Sequence, residues 1–350
     1  LALLSHPNIA SKHWIIRQYD HEVQGGSVIK PLVGRRGEGP SDAAVILPVA
    51  GSSRGLAIAN GLATGLRADP YLMALAAIDE CVRNLVCVGA DPRKIALLDN
   101  FCWPGCDDPD QLGALVRAAR GCYEGAKAYR TPFISGKDSL NNQFTTEEGR
   151  VIRIPPTLLI SGMGIVPDVA RCTTMDAKEA GNLLLYVGPA TCGRLGGSHY
   201  AELFGPTDGA GDLPVLDLTL GPAAARAVHH VIERGLAVSV HDCSDGGLLV
   251  AAAEMALAGD LGLELRPEAV PSAPDAGEAP ARRLFSEEPA RYLLEVRPKD
   301  LKSIRATLPP GLTLGVIGEF NPTGRLTIPG TGLDETITTL KQAWRAPLDW

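Results

Sequence analysis

Apolar residues at helical spacing make the stretch from Tyr71 to Asn100 the organising segment of the first half. Leu75, Ile78, Val82 and Leu85 form one stripe, predicting a buried helix that Gly89 and Asp91-Pro92 bring to an end. Lys94 to Leu98 then reads as a strand, delivering Asp99 and Asn100 at its carboxyl end. Before this helix, SDAAVILPV predicts a buried strand with Asp42 at its head, and Gly55 to Ala59 its neighbour. After it, Asp108 to Tyr129 carries long helical periodicity through Leu112, Leu115, Val116 and Ala119, closed by Thr131-Pro132 ahead of another strand. Thr157 to Val166 and Leu183 to Gly188 read as strands, and the acidic link between them, Asp168 to Gly181, is the expected boundary between domains 1–170 and 180–350. The second half predicts a helix from Pro222 to Arg234, a strand from Leu236 to Val240, and an alanine-rich helix from Leu248 to Ala258. Ala269 to Ala281 reads as an exposed Pro- and Ala-rich loop. Weaker alternation follows from Asp300 to Leu308, Thr313 to Ile317 and Arg325 to Ile328, with no chemistry evident there. The fold class is α/β.

The polar residues that interrupt this pattern are the candidates for chemistry. Glu80 and Asn84 stand four apart on the organising helix, which stacks a carboxylate and an amide on one face as oxygen ligands for a hard cation such as magnesium. Asp79 and Arg83 repeat that offset and read as a solvated surface pair. In ISGKDSLNN, Gly136, Lys137 and Ser139 follow an apolar strand and fit either a phosphate-holding turn or an ordinary Gly-Lys turn; the glycine spacing is wrong for a Walker A loop. HDCSDGG places Asp242 at a strand exit and Ser244 or Asp245 as cap of the following helix, where free N–H groups favour an anion. LGGSHYAELFG has the glycines of a close backbone approach, or of an ordinary turn. His21, between Asp20 and Glu22, invites a catalytic role, although such a histidine is more often structural.

Composition narrows the classes. With 350 residues and 45% hydrophobic content the chain can bury a large core in two domains, and a net charge of -7 leaves no electrostatic footprint for nucleic acid. Eight cysteines without a CxxC predict reduced, mostly buried thiols in a cytoplasmic protein rather than a zinc site. No apolar run reaches the length of a membrane span. The opening at Leu1 reads as mid-domain sequence, so a fragment or processed product is expected.

Together, RQYDHEVQG, SDAAV, the helix with Glu80 and Asn84, LLDN, SGKDSLNN, HDCSDGGL and LFSEEPARY closely resemble the phosphoribosylformylglycinamidine synthase family, over almost the whole chain. They match the second half of its synthetase portion. The resemblance implies an aminoimidazole ribonucleotide synthetase-like fold, with an N-terminal barrel-forming subdomain followed by a C-terminal α/β subdomain. It implies a reaction in which ATP activates the formamide oxygen of formylglycinamide ribonucleotide and ammonia derived from glutamine displaces phosphate. On that resemblance Asp42, Glu80, Asn84 and Asp242 hold magnesium at a nucleotide site, and Ser244 contacts the nucleotide, ATP or ADP. Asp99 and Gly136 contact ATP at the catalytic site, and Ser139 contacts the ribonucleotide substrate. Lys137 departs from the asparagine of small members; having only donors it cannot ligate a metal and is expected against phosphate. The family's catalytic histidine belongs to the first half, and nothing here resembles its glutaminase. The implied partners are therefore that first half and an ammonia-supplying glutaminase subunit, with no catalytic residue assigned in this chain. The competing class is a non-catalytic half that holds a structural nucleotide and completes a partner's barrel. Other enzymes of this ATP-binding fold are not expected to carry SGKDSLNN and HDCSDGGL in this order, and a dinucleotide oxidoreductase lacks its GxGxxG.

Overall fold

The structure, a computed structural model, describes residues 1–205, 212–277 and 279–348. Six strands form the first sheet: Ser27–Ile29 (β1), Ala44–Ile46 (β2), Gly55–Leu62 (β3), Ile95–Cys102 (β4), Phe133–Ser139 (β5) and Thr157–Val166 (β6). Their order is β1-β2-β3-β6-β4-β5, antiparallel except for the β4–β5 edge pair. Strict alternation along β3 buries Ala57 and Ala59 on one face and exposes Ile58, Asn60 and Leu62 on the other. The buried face packs on the organising helix, Pro70–Cys87 (α1), and on Pro109–Tyr129 (α2). Ile58, Ile134 and Met163 leave the other face open, with Ile134 67% exposed.

Asp69 caps α1 by accepting from the N–H of Tyr71 at 3.1 Å, and Pro70 occupies the first helical turn. Leu75, Ile78, Val82 and Leu85 are all buried, as the apolar stripe predicts. The helix is enclosed on its far side too, because helix Leu220–Glu233 (α4), which follows the short helix His199–Phe204 (α3), and the second sheet close over it. That enclosure overturns the reading of Asp79 and Arg83 as a surface pair: they are only 1% and 4% exposed.

The second sheet joins Leu183–Gly188 (β7), Ser239–Asp242 (β8), Gly262–Leu265 (β9), Tyr292–Val296 (β10), Thr313–Asn321 (β11), Arg325–Ile328 (β12) and Leu333–Thr336 (β13). Its order is β8-β10-β7-β11-β9-β12-β13. Leu185, Val187, Tyr292 and Leu294 face α1 and α4 in one core. Leu184, Tyr186, Leu293 and Phe320 face helix Gly247–Gly259 (α5) and the C-terminal helix Ile337–Arg345 in a second. Each such buried side chain contributes about 1.5–3 kcal/mol.

Three further expectations need correction. β4 runs on to Cys102, so Asp99 and Asn100 lie within a strand rather than beyond its end. Gly136, Lys137 and Ser139 likewise belong to β5 and not to a turn, because the parallel ladder continues from Leu97–Phe133 to Cys102–Ser139 and takes up their main-chain groups. The stretch Ala269 to Ala281 is not simply an exposed loop, since Val270 and Ala276 are buried and Ser272 bridges to Thr191. The eight cysteines are free thiols, four buried and four partly exposed. Among the described residues no helix is long and apolar enough to cross a membrane.

Candidate active-site recess

Residues distant in the chain converge on a recess of about 550 Å³ between the two sheets, lined by Asp42, Glu80, Asn84, His241, Asp242 and Ser244 among others. Asp42 arrives at the head of β2, Glu80 and Asn84 on α1, and Asp242 at the end of β8. On α1, Glu80 Oε2 accepts from the N–H of Leu62 at 2.7 Å, and Asn84 Nδ2 donates to the carbonyl of Asn60 at 2.9 Å. Asn84 thereby keeps its side-chain oxygen for a ligand. Asp42 Oδ1 bonds His241 Nδ1 at 2.7 Å and the N–H of Asp242 at 3.2 Å, while its Oδ2 is buried with no hydrogen-bond partner. The acidic and imidazole atoms of Asp42, His241 and Asp242 lie within 4.8 Å of one another.

Beneath the recess runs a buried charge network that the sequence pattern concealed. Arg83 Nε pairs with Asp79 Oδ2 at 2.7 Å, and Arg83 Nη1 donates to Asp242 Oδ2 at 3.0 Å and to the Cys243 carbonyl at 2.6 Å. Asp79 also accepts from Tyr129 Oη and, at 2.8 Å, from the N–H of Ala290. Arg83 thus ties α1 to the end of β8. Ser244 Oγ donates to the same Asp242 oxygen, and neither Ser244 nor Asp245 caps α5; left-handed Gly246 fills that position instead. Nearby, Gly197 of the LGGS turn, at φ +73°, meets Gly65 so closely that a Cβ would stand 2.5 Å from its carbonyl oxygen.

The recess is acidic: Asp42, Glu80, Asp242, Asp245 and Glu254 line it, against the cationic side chains of Lys12 and His241. Lys12 Nζ is already held by the carbonyls of Pro7, Asn8 and Ala10. Burial, then the charges of Asp245 and Asp242, push the Glu80 carboxyl up to about 8. Such an excess of hard oxygen donors repels an anion on its own and suits a divalent cation of the magnesium type. The orphaned Asp42 oxygen and the Asn84 amide oxygen fit that use. His199, beside the recess, bonds Glu287 at 2.9 Å; burial would lower its imidazole, but Glu287 and Asp245 raise it to about 9.

Asp99, Gly136, Lys137 and Ser139 lie elsewhere, on the β4–β5 edge of the first sheet. Asp99 is opposite Gly136 in register, and a Cβ on Gly136 would fall 2.0 Å from Asp99 Oδ1, so glycine is the residue that admits this carboxylate. Burial raises the Asp99 carboxyl. Exposed Lys137 donates from Nζ to Ser139 Oγ at 2.6 Å. His21 bonds the Tyr19 carbonyl and does not line the recess. Sequence reasoning missed Glu254 and Trp344 as lining residues and the HPNIASK segment as a wall; an isolated acid on an apolar helix was the available signal for Glu254.

A half-open sheet and a doubly covered sheet meeting at a carboxylate recess make this a two-part α/β protein. Residues 40–166 match the family described as AIR synthase related protein, N-terminal domain, and residues 179–330 match its C-terminal domain. The chain belongs to the AIR synthase-related family. It is 36% identical to the phosphoribosylformylglycinamidine synthase subunit PurL of Deinococcus radiodurans over 99% of this chain and 45% of that protein. The PurL subunit of Thermococcus sibiricus is also 36% identical, over 91% of this chain and 42% of its own length. The chain therefore spans less than half the length of these relatives. Among solved structures, Thermotoga maritima PurL complexed with ADP shares the fold at a TM-score of 0.69 and 19% identity, covering 91% of this chain and 48% of that one. Aquifex aeolicus thiamine monophosphate kinase shares it at 0.55 and 18% identity, covering 81% and 90%.

Proposed function

We propose that this chain serves as the second half of the synthetase portion of an ATP-dependent phosphoribosylformylglycinamidine synthase, with the recess holding a magnesium-bound adenine nucleotide. The observation that carries the reading is the convergence of Asp42, Glu80, Asn84, Asp242 and Ser244 from distant segments on one acidic recess. In this role Asp42, Glu80, Asn84 and Asp242 hold the cation, which neutralises the carboxylates and presents positive charge to phosphate. Ser244, held by Asp242, stands at the nucleotide. Asp99, Gly136, Lys137 and Ser139 form the chain's contribution to a second site, which takes ATP and formylglycinamide ribonucleotide once the first half of the synthetase covers the open sheet face. The uncovered apolar residues of that face and the relatives' greater length support such a partner. A separate glutaminase supplies ammonia. The separation of the two residue groups also favours a second reading, in which this half holds its nucleotide structurally while the partner half performs the chemistry.

The test is calorimetry and turnover on the purified chain. ADP binding that requires magnesium, with no amidine product from ATP, ammonia and formylglycinamide ribonucleotide, is the expected result. Product formation by this chain alone overturns the half-synthetase reading, and nucleotide binding indifferent to magnesium overturns the assignment of the recess. In the reassembled enzyme, turnover unaffected by emptying the recess supports neither a catalytic nor an essential structural nucleotide there.

A further inference from the structure

His241 has no place in the ligand set just described, yet its ring is held at both nitrogens. Nδ1 bonds Asp42 Oδ1 at 2.7 Å and Nε2 bonds Glu254 Oε2 at 3.2 Å. With both nitrogens engaged by carboxylates, no lone pair is left for a cation. Asp42 precedes β2 on a connecting segment, and among the described residues His241 is its one side-chain hydrogen-bond partner. The other donor to Asp42, the N–H of Asp242, reaches the same oxygen. All the restraint therefore falls on Oδ1, and Oδ2 stays buried and unpartnered.

Glu254 shows how this arrangement is anchored. It is the sole charged residue of α5, GLLVAAAEMALAG, whose other residues pack in the second apolar core. An acid there costs desolvation unless something partners it, and His241 supplies the partner. The result is a relay of fixed positions from a rigid core helix, through an imidazole, to a carboxylate on a less constrained segment. Outer groups that orient metal ligands in this way commonly change cation affinity by 10–100-fold when removed.

Resting on the reading of the recess as a cation and nucleotide site, we propose that His241 is a positioning residue, which, braced by Glu254, turns Asp42 so that Oδ2 is the oxygen offered to the cation. It touches neither cation nor nucleotide. Its two nitrogens have unequal roles: the Nδ1 bond sets Asp42, and the Nε2 bond only steadies the ring.

That inequality gives the experiment. The amide nitrogen of asparagine sits where Nδ1 does, and that of glutamine where Nε2 does. Magnesium is titrated calorimetrically into the full chain saturated with ADP, with unfolding midpoints recorded for each variant. His241→Asn, which keeps the bond to Asp42 but not the one to Glu254, is expected to weaken magnesium no more than severalfold, whereas His241→Gln loses about 10–100-fold. Glu254→Leu removes the brace and is expected to weaken magnesium severalfold when titrated well below its own recorded unfolding midpoint. Equal losses in the asparagine and glutamine variants overturn the proposal and make His241 a packing residue, as does wild-type affinity in Glu254→Leu. Should the wild-type chain bind ADP without any magnesium requirement, the recess reading itself falls and takes this inference with it.

Discussion

The recess and the strand edge carry similar polar residues in opposite settings. In the recess each of Asp42, Glu80, Asn84 and Asp242 has at least one side-chain atom fixed by a neighbour, and the fixing groups come from both sheets. On the β4–β5 edge, Lys137 is exposed and its only fixed bond is to Ser139, two residues away on the same strand. The first region is organised by the fold of this chain. The second is organised only as far as one exposed edge allows, with Gly136 admitting the Asp99 carboxylate. Polar side chains are thus fixed by several elements in the recess and by near neighbours on the edge, a contrast that accords with the divided arrangement proposed above.

The largest effect that separates the two regions is on stability. Arg83→Ala removes the cation between buried Asp79 and Asp242, and breaking a buried ion pair on one side costs about 3–5 kcal/mol. Lys137→Ala on the open edge is expected to stay within about 0.5 kcal/mol of wild type. Denaturant midpoints for the two variants check this, and a similar loss in both removes the distinction between a built and an unbuilt region.

Next in size is the pH dependence carried by His199. Its imidazole is raised from 6.5 to about 9, in the folded chain, by Glu287 and Asp245 acting against burial. The stabilisation is therefore complete below about pH 6.5, where folded and unfolded forms both carry the proton. It is lost as pH rises through about 9. The loss is on the order of 3 kcal/mol. His199→Gln flattens that slope in urea unfolding measured from pH 6 to 9; an unchanged slope shows that the stability loss has another source.

What could be read from sequence follows the same division. The α1 stripe and β7 were legible because their apolar runs match their burial, and β6 because its apolar length marks a strand, although Leu159 and Met163 on its other face are not buried. Glu80 and Asn84 were legible as a ligand pair from their spacing on α1, and Asp242 as a polar residue at a strand exit, but that these meet Asp42 came only from the resemblance, since nothing in the spacing says that residues 200 positions apart converge. Asp79 and Arg83 were misread for a physical reason: an acid and a base four apart look the same whether water or a second sheet lies over them. The edge strand β5 was misread because glycine, lysine and serine favour turns locally, and only the parallel pairing with β4 holds them extended.

Smaller in free energy, but sharper as a test of separation, are the carboxylates themselves. Asp42→Asn and Asp242→Asn keep shape and lose charge, so each is expected to weaken magnesium-dependent ADP binding by about tenfold or more. Asp99→Asn is expected to leave that affinity unchanged in this chain. If Asp99→Asn weakens ADP as much as the other two, the strand edge and the recess act as one site, and the division drawn above is wrong.

The smallest effect in the chain alone, and the one that isolates the unfinished site, belongs to Lys137. Its exposed ammonium and its bond to Ser139 predict no change in folding and none in ADP affinity when it becomes alanine. In the synthetase reassembled with its first half and supplied with saturating ammonia, the same substitution is expected to lower kcat more than it raises KM. A point charge that meets phosphate most strongly as charge develops in transfer stabilises the transition state beyond the ground state. Lys137→Arg is expected to restore little, because a planar fork does not reproduce the compact point charge of an ammonium. Equal changes in kcat/KM and KM, at constant kcat, assign Lys137 to ground-state binding of ATP. No change in either leaves Gly136 and Ser139 as the edge's contribution, with the lysine an exposed side chain on an edge strand.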